Sequence, residues 1–442
     1  MTNPALTTFH PRHQGLGFHL VFAAAFILLA AATPSLGLVV VVDVTTDAEP
    51  AVGSCSAAAG DCPLRRAIEL AIAGDEIHFD PAIFGTPQTI QLVSELLVER
   101  AIRITGPGRE LLTLRGTGAD RVMRLDVTGT FYMTDLTLTN GFAGTSAGSQ
   151  FGGGVLLEGG NAEMNGLALV GSTVDHASGG GGNLAMTGGS LRLTNSLIAS
   201  GVARGGAVGG GFYASGSGTA GLVINGVFTG NESFAQGAAV ANDGAFVVLL
   251  QSTLTQNTAT SQGGAVYSRL GTTSLEFCTL AFNDSVSSIT DAREIYVDAG
   301  GVFLNHTLIA APSTTARGIP ITVCRDDSTQ QGQGIISNGY NLSNRPCGLT
   351  NPTDLPQQAV GLATLEARWD TFFYRLQPTS PAIDAGQANC STTFYNLDLD
   401  QRNLPRRLDA DGDGTGQCDI GATEVQAIFV DGFESGDTAR WM

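Results

Sequence analysis

The chain contains no lysine: all 22 of its basic residues are arginine. Schiff-base chemistry and lysine general bases are therefore excluded. Charged residues of either sign make up only 14% and aromatic residues 7%. Within that thin supply the balance is acidic, with a formal net charge of −18. A protein that grips nucleic acid needs a basic face to displace phosphate counterions, so a nucleic-acid partner is excluded. An anionic polymer would be repelled at long range and would need a local arginine cluster or bridging calcium. Beyond the N-terminus, long hydrophobic runs are missing too, and no later segment can span a bilayer as a helix.

What is plentiful is glycine, 59 of 442 residues, set among hydrophobic residues (43%) that come in short runs between Gly, Ser, Thr and Asn. That texture predicts many short strands joined by tight turns. One longer apolar run, Leu20 to Ala32, follows Arg12 and His13 and precedes Pro34, Ser35 and Gly37. It is shorter than the ~20 residues of a membrane span, so residues 1–37 read as a secretory signal, the alternative being an anchor kept as a tether. Seven cysteines in an exported chain suggest three disulfides and one spare thiol. Nearest neighbours pair Cys55 with Cys62, Cys324 with Cys347 and Cys390 with Cys418, although sequence alone leaves connectivity open. Cys278 is then the odd one.

Laid against itself, the chain repeats. Phe277-x-x-Leu280-x-x-Asn283 aligns with units starting at Gln251, Asn225, Asn195 and Asn165, and weaker copies start at Thr134 and Asn305. The starts fall about 26 to 31 residues apart, the period of a solenoid. Glycine clusters such as Gly205 to Val208 and Gly263 to Val266 follow most units. The last unit position reads Asn140, Gly171, Gly201, Asn231, Asn257, Asn283, which predicts a left-handed bend there. The middle position, including Ile198, Phe228, Leu254, Leu280 and Leu308, is expected to stack inside. Gly166, Ser196, Gly226, Ser252, Cys278 and His306 are expected to share that inward parity, which makes Cys278 a buried, unreactive thiol. The run "SQFGGGVLLEGG" opens no helical pattern and is followed by no GK[ST], so it is not a phosphate loop.

A stack of coils must be covered at its ends. Leu64, Ala67, Ile68 and Ala71 lie at helical spacing between Pro63 and Gly74 and predict a short capping helix. With "GGAV" twice, "FTGN", "LTQN" and "LAFN", the chain resembles secreted bacterial right-handed parallel β-helix proteins with polymorphic outer-membrane-protein-like repeats. Cys62, Leu64, Arg65 and Ala67 resemble a CSLREA leading segment, from which Pro63 and Arg66 depart. "SPAIDAG", "DLDQRNLPR" and "CDIGATE" resemble a choice-of-anchor Q module, carried by Asp384, Gly386, Asp400, Gln401, Arg402, Arg406, Asp419, Gly421 and Glu424. Asn403 and Thr423 depart from its pattern. The resemblance implies an all-β fold: a right-handed parallel β-helix with a short N-terminal capping helix and a loop-rich, disulfide-bonded C-terminal region. The implied organisation is signal 1–37, cap 38–76, β-helix 77–379, C-terminal module 380–426 and tail 427–442.

Polysaccharide lyases and glycosidases share this architecture, so the acids and arginines of the coils are the candidate catalytic residues. Asp135, Glu158, Glu163, Asp175, His176, Glu232, Asp243, Glu276, Asp284, Asp291 and Glu294 fall at unlike repeat positions, and so do Arg192, Arg204, Arg269 and Arg293. Paired carboxylates across one sugar are not evident, and no catalytic residue is assigned. Asp409, Asp411 and Asp413 alternate before Gly414 and are candidate calcium ligands, although no acid stands where an EF-hand needs its bidentate Glu. The closing "IFVDGFESGDTARWM" resembles a terminal tag of exported proteobacterial proteins. The expectation is an extracellular or surface-associated binding or structural monomer, for instance an adhesin, with surface glycans or envelope and host proteins as partners. The alternative is a carbohydrate-active enzyme on the same fold.

Overall fold

The structure is a computed structural model. It describes residues 37–425 except 49–52, 56–59, 145–149, 287–291, 312–321, 329–332, 369–370, 393–396 and 411–413. The expected signal run Leu20 to Ala32 and the tail 427–442 lie outside the described residues.

One coil shows how the sequence becomes the fold. The chain runs through Val240–Asp243, Phe246–Leu250, Thr253–Thr255 and Thr258–Ala259, then repeats the path through Val266–Arg269, Thr272–Glu276, Thr279–Ala281 and Asp284–Ser285. Each strand pairs in parallel with its counterpart one coil later. Three sheets result, with eighteen, eleven and six strands among the described residues, and the protein is an all-β parallel β-helix. Because strand side chains alternate, every second residue enters the interior. In the second sheet the inward column runs Ile90, Leu114, Leu138, Leu169, Ile198, Phe228, Leu254, Leu280 and Ile309, all buried.

The register differs from the sequence alignment in three places. Leu138 replaces Thr137, Leu169 replaces Ala168 and Ile309 replaces Leu308 in the stack, because these units are shifted by one residue. Consequently Leu167 and Thr307, not Gly166 and His306, share the parity of Ser196 and Cys278. The left-handed bend also lies one residue earlier than expected in four coils. Asn140 and Gly171 occupy it as expected, but Ser200, Gly230, Gln256 and Phe282 precede the predicted residue. A second left-handed column begins each unit at Asp135, Gly166, Asn195, Asn225, Gln251, Phe277, His306 and Tyr340. Left-handed backbone costs an ordinary residue about 1–2 kcal/mol, which the flanking coils offset by bonding the turn on both sides.

The predicted bend asparagines do something else. Asn231, Asn257 and Asn283 are buried, and each side-chain amide stacks on the next. Asn231 Nδ2 donates to Asn257 Oδ1 at 2.8 Å, and Asn257 Nδ2 donates to Asn283 Oδ1 at 2.8 Å. The same oxygens accept from the Asn231 and Asn257 backbone N–H groups at 3.0 and 3.1 Å. Asn183 begins this ladder and Glu294 ends it, taking both Asn283 donors on its two oxygens at 3.2 and 2.6 Å. Full burial pushes the Glu294 carboxyl up to about 8.

At the N-terminal end the helix Leu64–Leu70 buries Leu64, Ala67 and Ile68, and Ala71 just beyond it, as the spacing predicts. Arg65 fastens it by donating to Asp47 at 2.7 Å and to the Ser94 and Glu95 carbonyls at 2.9 Å. The C-terminal region folds back along the flank of the solenoid. The hairpin Leu362–Arg368/Thr371–Leu376 and the segment up to residue 425 lie over the outer face of the second sheet. Ala281, Leu308, Ala310 and Leu342 on that face meet Val360, Tyr374, Ala382 and Ile420 of this strap. Disulfides join Cys55 to Cys62, Cys324 to Cys347 and Cys390 to Cys418, which fits an oxidising compartment. Cys278 is free, and burial pushes its thiol up to about 12. Among the described residues no helix is long and apolar enough to cross a membrane.

Two predictions follow from the interior. Asn257→Ala orphans buried groups on both sides of the ladder at about 1–3 kcal/mol each, so urea denaturation should show a loss above about 3 kcal/mol. Cys278 should resist alkylation in the native protein and react fully once unfolded.

Candidate functional site

The C-terminal motif residues converge on a buried polar knot. Asp419 Oδ1 accepts from the Asp384 backbone N–H at 2.8 Å, and Glu424 Oε2 accepts from the Asp419 N–H at 3.1 Å. Asp400 Oδ2 accepts from the Glu424 N–H at 2.9 Å and from Arg402 Nε at 2.8 Å. Arg406, fully buried, donates to Glu424 at 3.3 Å and to the Gly421 and Ala422 carbonyls at 3.1 Å. Its guanidinium lies 4.5 Å from the Phe277 ring centroid. Gly386 runs flush against the coil: a Cβ there would fall 2.6 Å from the Cys418 carbonyl and 2.8 Å from the His306 ring. These residues serve as a clasp.

The clasp grips the left-handed turn column. His306 stacks between Phe277 and Tyr340, with centroids 4.2 and 4.8 Å away. Its Nε2 accepts from the Gln387 N–H at 2.9 Å and its Nδ1 faces Asn305 Oδ1 at 2.8 Å, which sets the neutral tautomer. Burial lowers its pKa to about 3, with the nearby Arg406 charge adding to the effect. Further along the flank, Thr253 Oγ1 donates to Gln401 Oε1 at 2.6 Å, and Gln251 Nε2 donates to the Leu399 carbonyl.

Where the strap lifts away from the lower coils it leaves a cleft of about 520 Å³. Its floor is the turn column: Asp135, Gly166, Asn195 and Asn225, with Asn165 beside them. Three coil spacings separate Asp135 from Asn225, roughly 14 Å at ~4.8 Å each. The amides form an outer ladder: Asn195 Nδ2 donates to Asn165 Oδ1 at 2.8 Å and Asn225 Nδ2 to Asn195 Oδ1 at 3.0 Å. One wall is strap, with Thr371, Arg402 and Asn403; the other end holds Arg109 and Glu110. Arg109 reaches Glu110 at 3.7 Å, and its carbonyl accepts from Thr137 Oγ1 at 2.7 Å. Burial lowers the Arg109 pKa, against the pull of Glu110 and Asp135. Arg402 is committed to Asp400 and lies 5.2 Å from the Phe373 ring centroid.

Of the acids considered from sequence, Asp135 alone lines this cleft. Glu158 pairs with Arg124 at 3.2 Å, Asp243 with Arg269 at 2.6 Å, and Asp284 with Arg293. The reading that coil charges sit at unlike repeat positions is corrected: Glu163 lies in register with Arg192 and Asp175 with Arg204. Asp243 and Arg269 are in register, and the same register continues to Asp298 and Asp327 on the first sheet. The Tyr267 hydroxyl donates to Asp298 at 3.5 Å and the Tyr296 hydroxyl to Asp327 at 3.3 Å. Of the calcium candidates, Asp411 and Asp413 lie outside the described residues, and Asp409 accepts from the Gly414 N–H at 3.0 Å. Among the described residues no three His, Cys, Asp or Glu side chains are grouped to hold a metal ion. Sequence reasoning missed Arg109, Glu110 and the strap wall, because only the fold-back of the C-terminal region brings them opposite the turn column.

No family model matches the chain, its repeats, leading segment and C-terminal module included, and no curated protein matches it. Among solved structures, the crystal structure of pectate lyase Pel9A is similar, with a TM-score of 0.48 and 11% identity over 89% of this chain and 97% of that one. That likeness assigns no residue a role.

Burial holds Glu294, Asp419 and Glu424 above the usual carboxylate range. A group with a raised folded-state pKa contributes stability that is fully present below its unfolded pKa and is lost as pH rises through the folded one. His306, held low, acts in the opposite sense and only as pH falls below about 6.5. From about pH 7 to 8.5 the carboxylates therefore dominate, and the melting temperature should fall across that window in a calorimetric series.

Proposed function

We propose that the chain is an exported β-helix that binds glycans in the cleft between the turn column and the C-terminal strap, without cleaving them. The observation that carries this reading is the amide ladder Asn165, Asn195 and Asn225 on the cleft floor. An amide offers both donors and acceptors, and a saccharide displays hydroxyls that do both. Amides repeated at the coil spacing suit a ligand that is itself a repeating polyol, held by many modest bonds. The apolar leading run and the three disulfides support export, so glycans of a cell surface or envelope are the partners this reading implies.

An enzymatic reading has one observation in its favour: Glu110 and Asp135 line the same cleft as Arg109. Cleavage by acid and base needs two carboxylates flanking one glycosidic bond. A glycan array paired with a depolymerisation assay separates the two readings. Binding without release of new chain ends is expected. Asn195→Gly suits the left-handed backbone and removes one amide from the ladder, so affinity should fall about tenfold, or ~1.4 kcal/mol, with melting little changed. Chain cleavage that Glu110→Gln abolishes would replace binding by catalysis.

A further inference from the structure

We infer that a notch at Gly166 selects the ligand, and that this ligand is a neutral glycan whose adjacent hydroxyls are held by the Asp135 carboxylate; the inference rests on the glycan-binding reading above. Four successive turn residues form the cleft floor, all left-handed: Asp135, Gly166, Asn195 and Asn225, with φ of 58°, 67°, 51° and 55°. Three of them carry side chains into the column. Gly166 carries none, so the turn column has a gap of one side chain at that coil, beside the Asn165 amide that bonds to Asn195.

Asp135 leans into that gap. A Cβ on Gly166 would fall 2.3 Å from Asp135 Oδ1, so the carboxylate already occupies part of the space that a side chain would need. Its backbone is pinned, with the N–H donating to the Asn165 carbonyl at 3.0 Å and the carbonyl accepting from the Gly108 N–H at 3.0 Å. Its carboxylate, by contrast, accepts no direct hydrogen bond among the described residues, and Arg109, which feels its charge, reaches Glu110 at 3.7 Å. An ionised carboxylate is acceptor-only, and its two oxygens suit two neighbouring O–H donors. Two adjacent sugar hydroxyls supply that pair. The amides of Asn165, beside the notch, and Asn195, one coil beyond it, then meet the next hydroxyls with either polarity.

Charge decides between neutral and acidic sugars. A uronate in the notch would set a second carboxylate against Asp135 in a chain whose net charge is already −18. Of the two arginines in the cleft, Arg402 is bound to Asp400 at 2.8 Å and Arg109 already faces Glu110 at 3.7 Å as well as the Asp135 charge.

The test is calorimetric binding of the full chain to neutral oligomers (cello-, xylo-, manno- and maltohexaose) and to acidic ones (oligogalacturonate, alginate oligomers). Gly166→Asn fills the notch with a residue that the column already accepts at the same backbone angles in Asn195 and Asn225, so unchanged melting is its folding control. Asp135→Asn keeps the shape and removes the charge. The inference expects a neutral oligomer to bind, Gly166→Asn to weaken it at least about tenfold, and Asp135→Asn to weaken it by a similar factor. Preference for acidic oligomers, with Asp135→Asn tightening them, would overturn the neutral ligand while leaving glycan binding in place. Neutral binding that is sensitive to Asn195→Gly but indifferent to Gly166→Asn would overturn the notch alone. Absence of any oligomer binding that responds to Asn195→Gly would overturn the glycan reading itself.

Discussion

Each strand of this molecule must lie over its counterpart one coil earlier, at the ~4.8 Å spacing of paired strands, so that every backbone group finds a partner. The rest of the structure depends on that constraint. It forces like over like: Phe228 between Ile198 and Leu254, Asn257 between Asn231 and Asn283, His306 between Phe277 and Tyr340. A column is thus a unit of chemistry. A polar side chain inside the core is tolerable only because its neighbours along the axis carry the same groups in the same place, so the amides satisfy one another. The first odd member, Glu294, ends the run by accepting twice.

The same constraint explains what could be read from sequence and what could not. The repeat, the inward stack of Phe228, Leu254 and Leu280, the capping helix and the buried Cys278 were legible, because each rests on spacing within one or two coils. The bend was misplaced because Ser200, Gln256 and Phe282 adopt left-handed backbone that their residue types disfavour, and only hydrogen bonds from both flanking coils hold them there. The buried asparagines that resembled bend residues owe their recurrence to the amide ladder instead. Of the candidate site, Asp135 was legible as one acid among many. Its importance depends on Gly166 above it and on a strap wall contributed from residues more than two hundred positions later, for which sequence carries no local signal.

The strap gives the solenoid a second layer on one flank. Its grip is unlike that of the coils: a buried charge cluster around Arg406, a neutral imidazole and a few side-chain bonds to Thr253, Thr255 and Thr279. A buried ion pair is weak evidence for net stability and good evidence for a defined position, since an unpaired partner is costly. Here that position sets the width of the cleft, because Thr371 and Arg402 to Leu404 line its outer side. Cleft wall and clasp therefore share one segment.

The strap's bonds also have a direction in time. Leu399 and Gln401 reach back 148 residues to Gln251 and Thr253, and Gln401 reaches 175 residues back to Gly226. A chain emerging N-terminus first can add coils one after another, since each coil needs only its predecessor as a template. The apolar outer face around Leu308, Ala310 and Leu342 has no cover until the last part of the strap arrives. Completion of the fold is thus a late, long-range event appended to an early, local one, and the interval between them is when a partly emerged chain is most exposed to proteases and to its own copies.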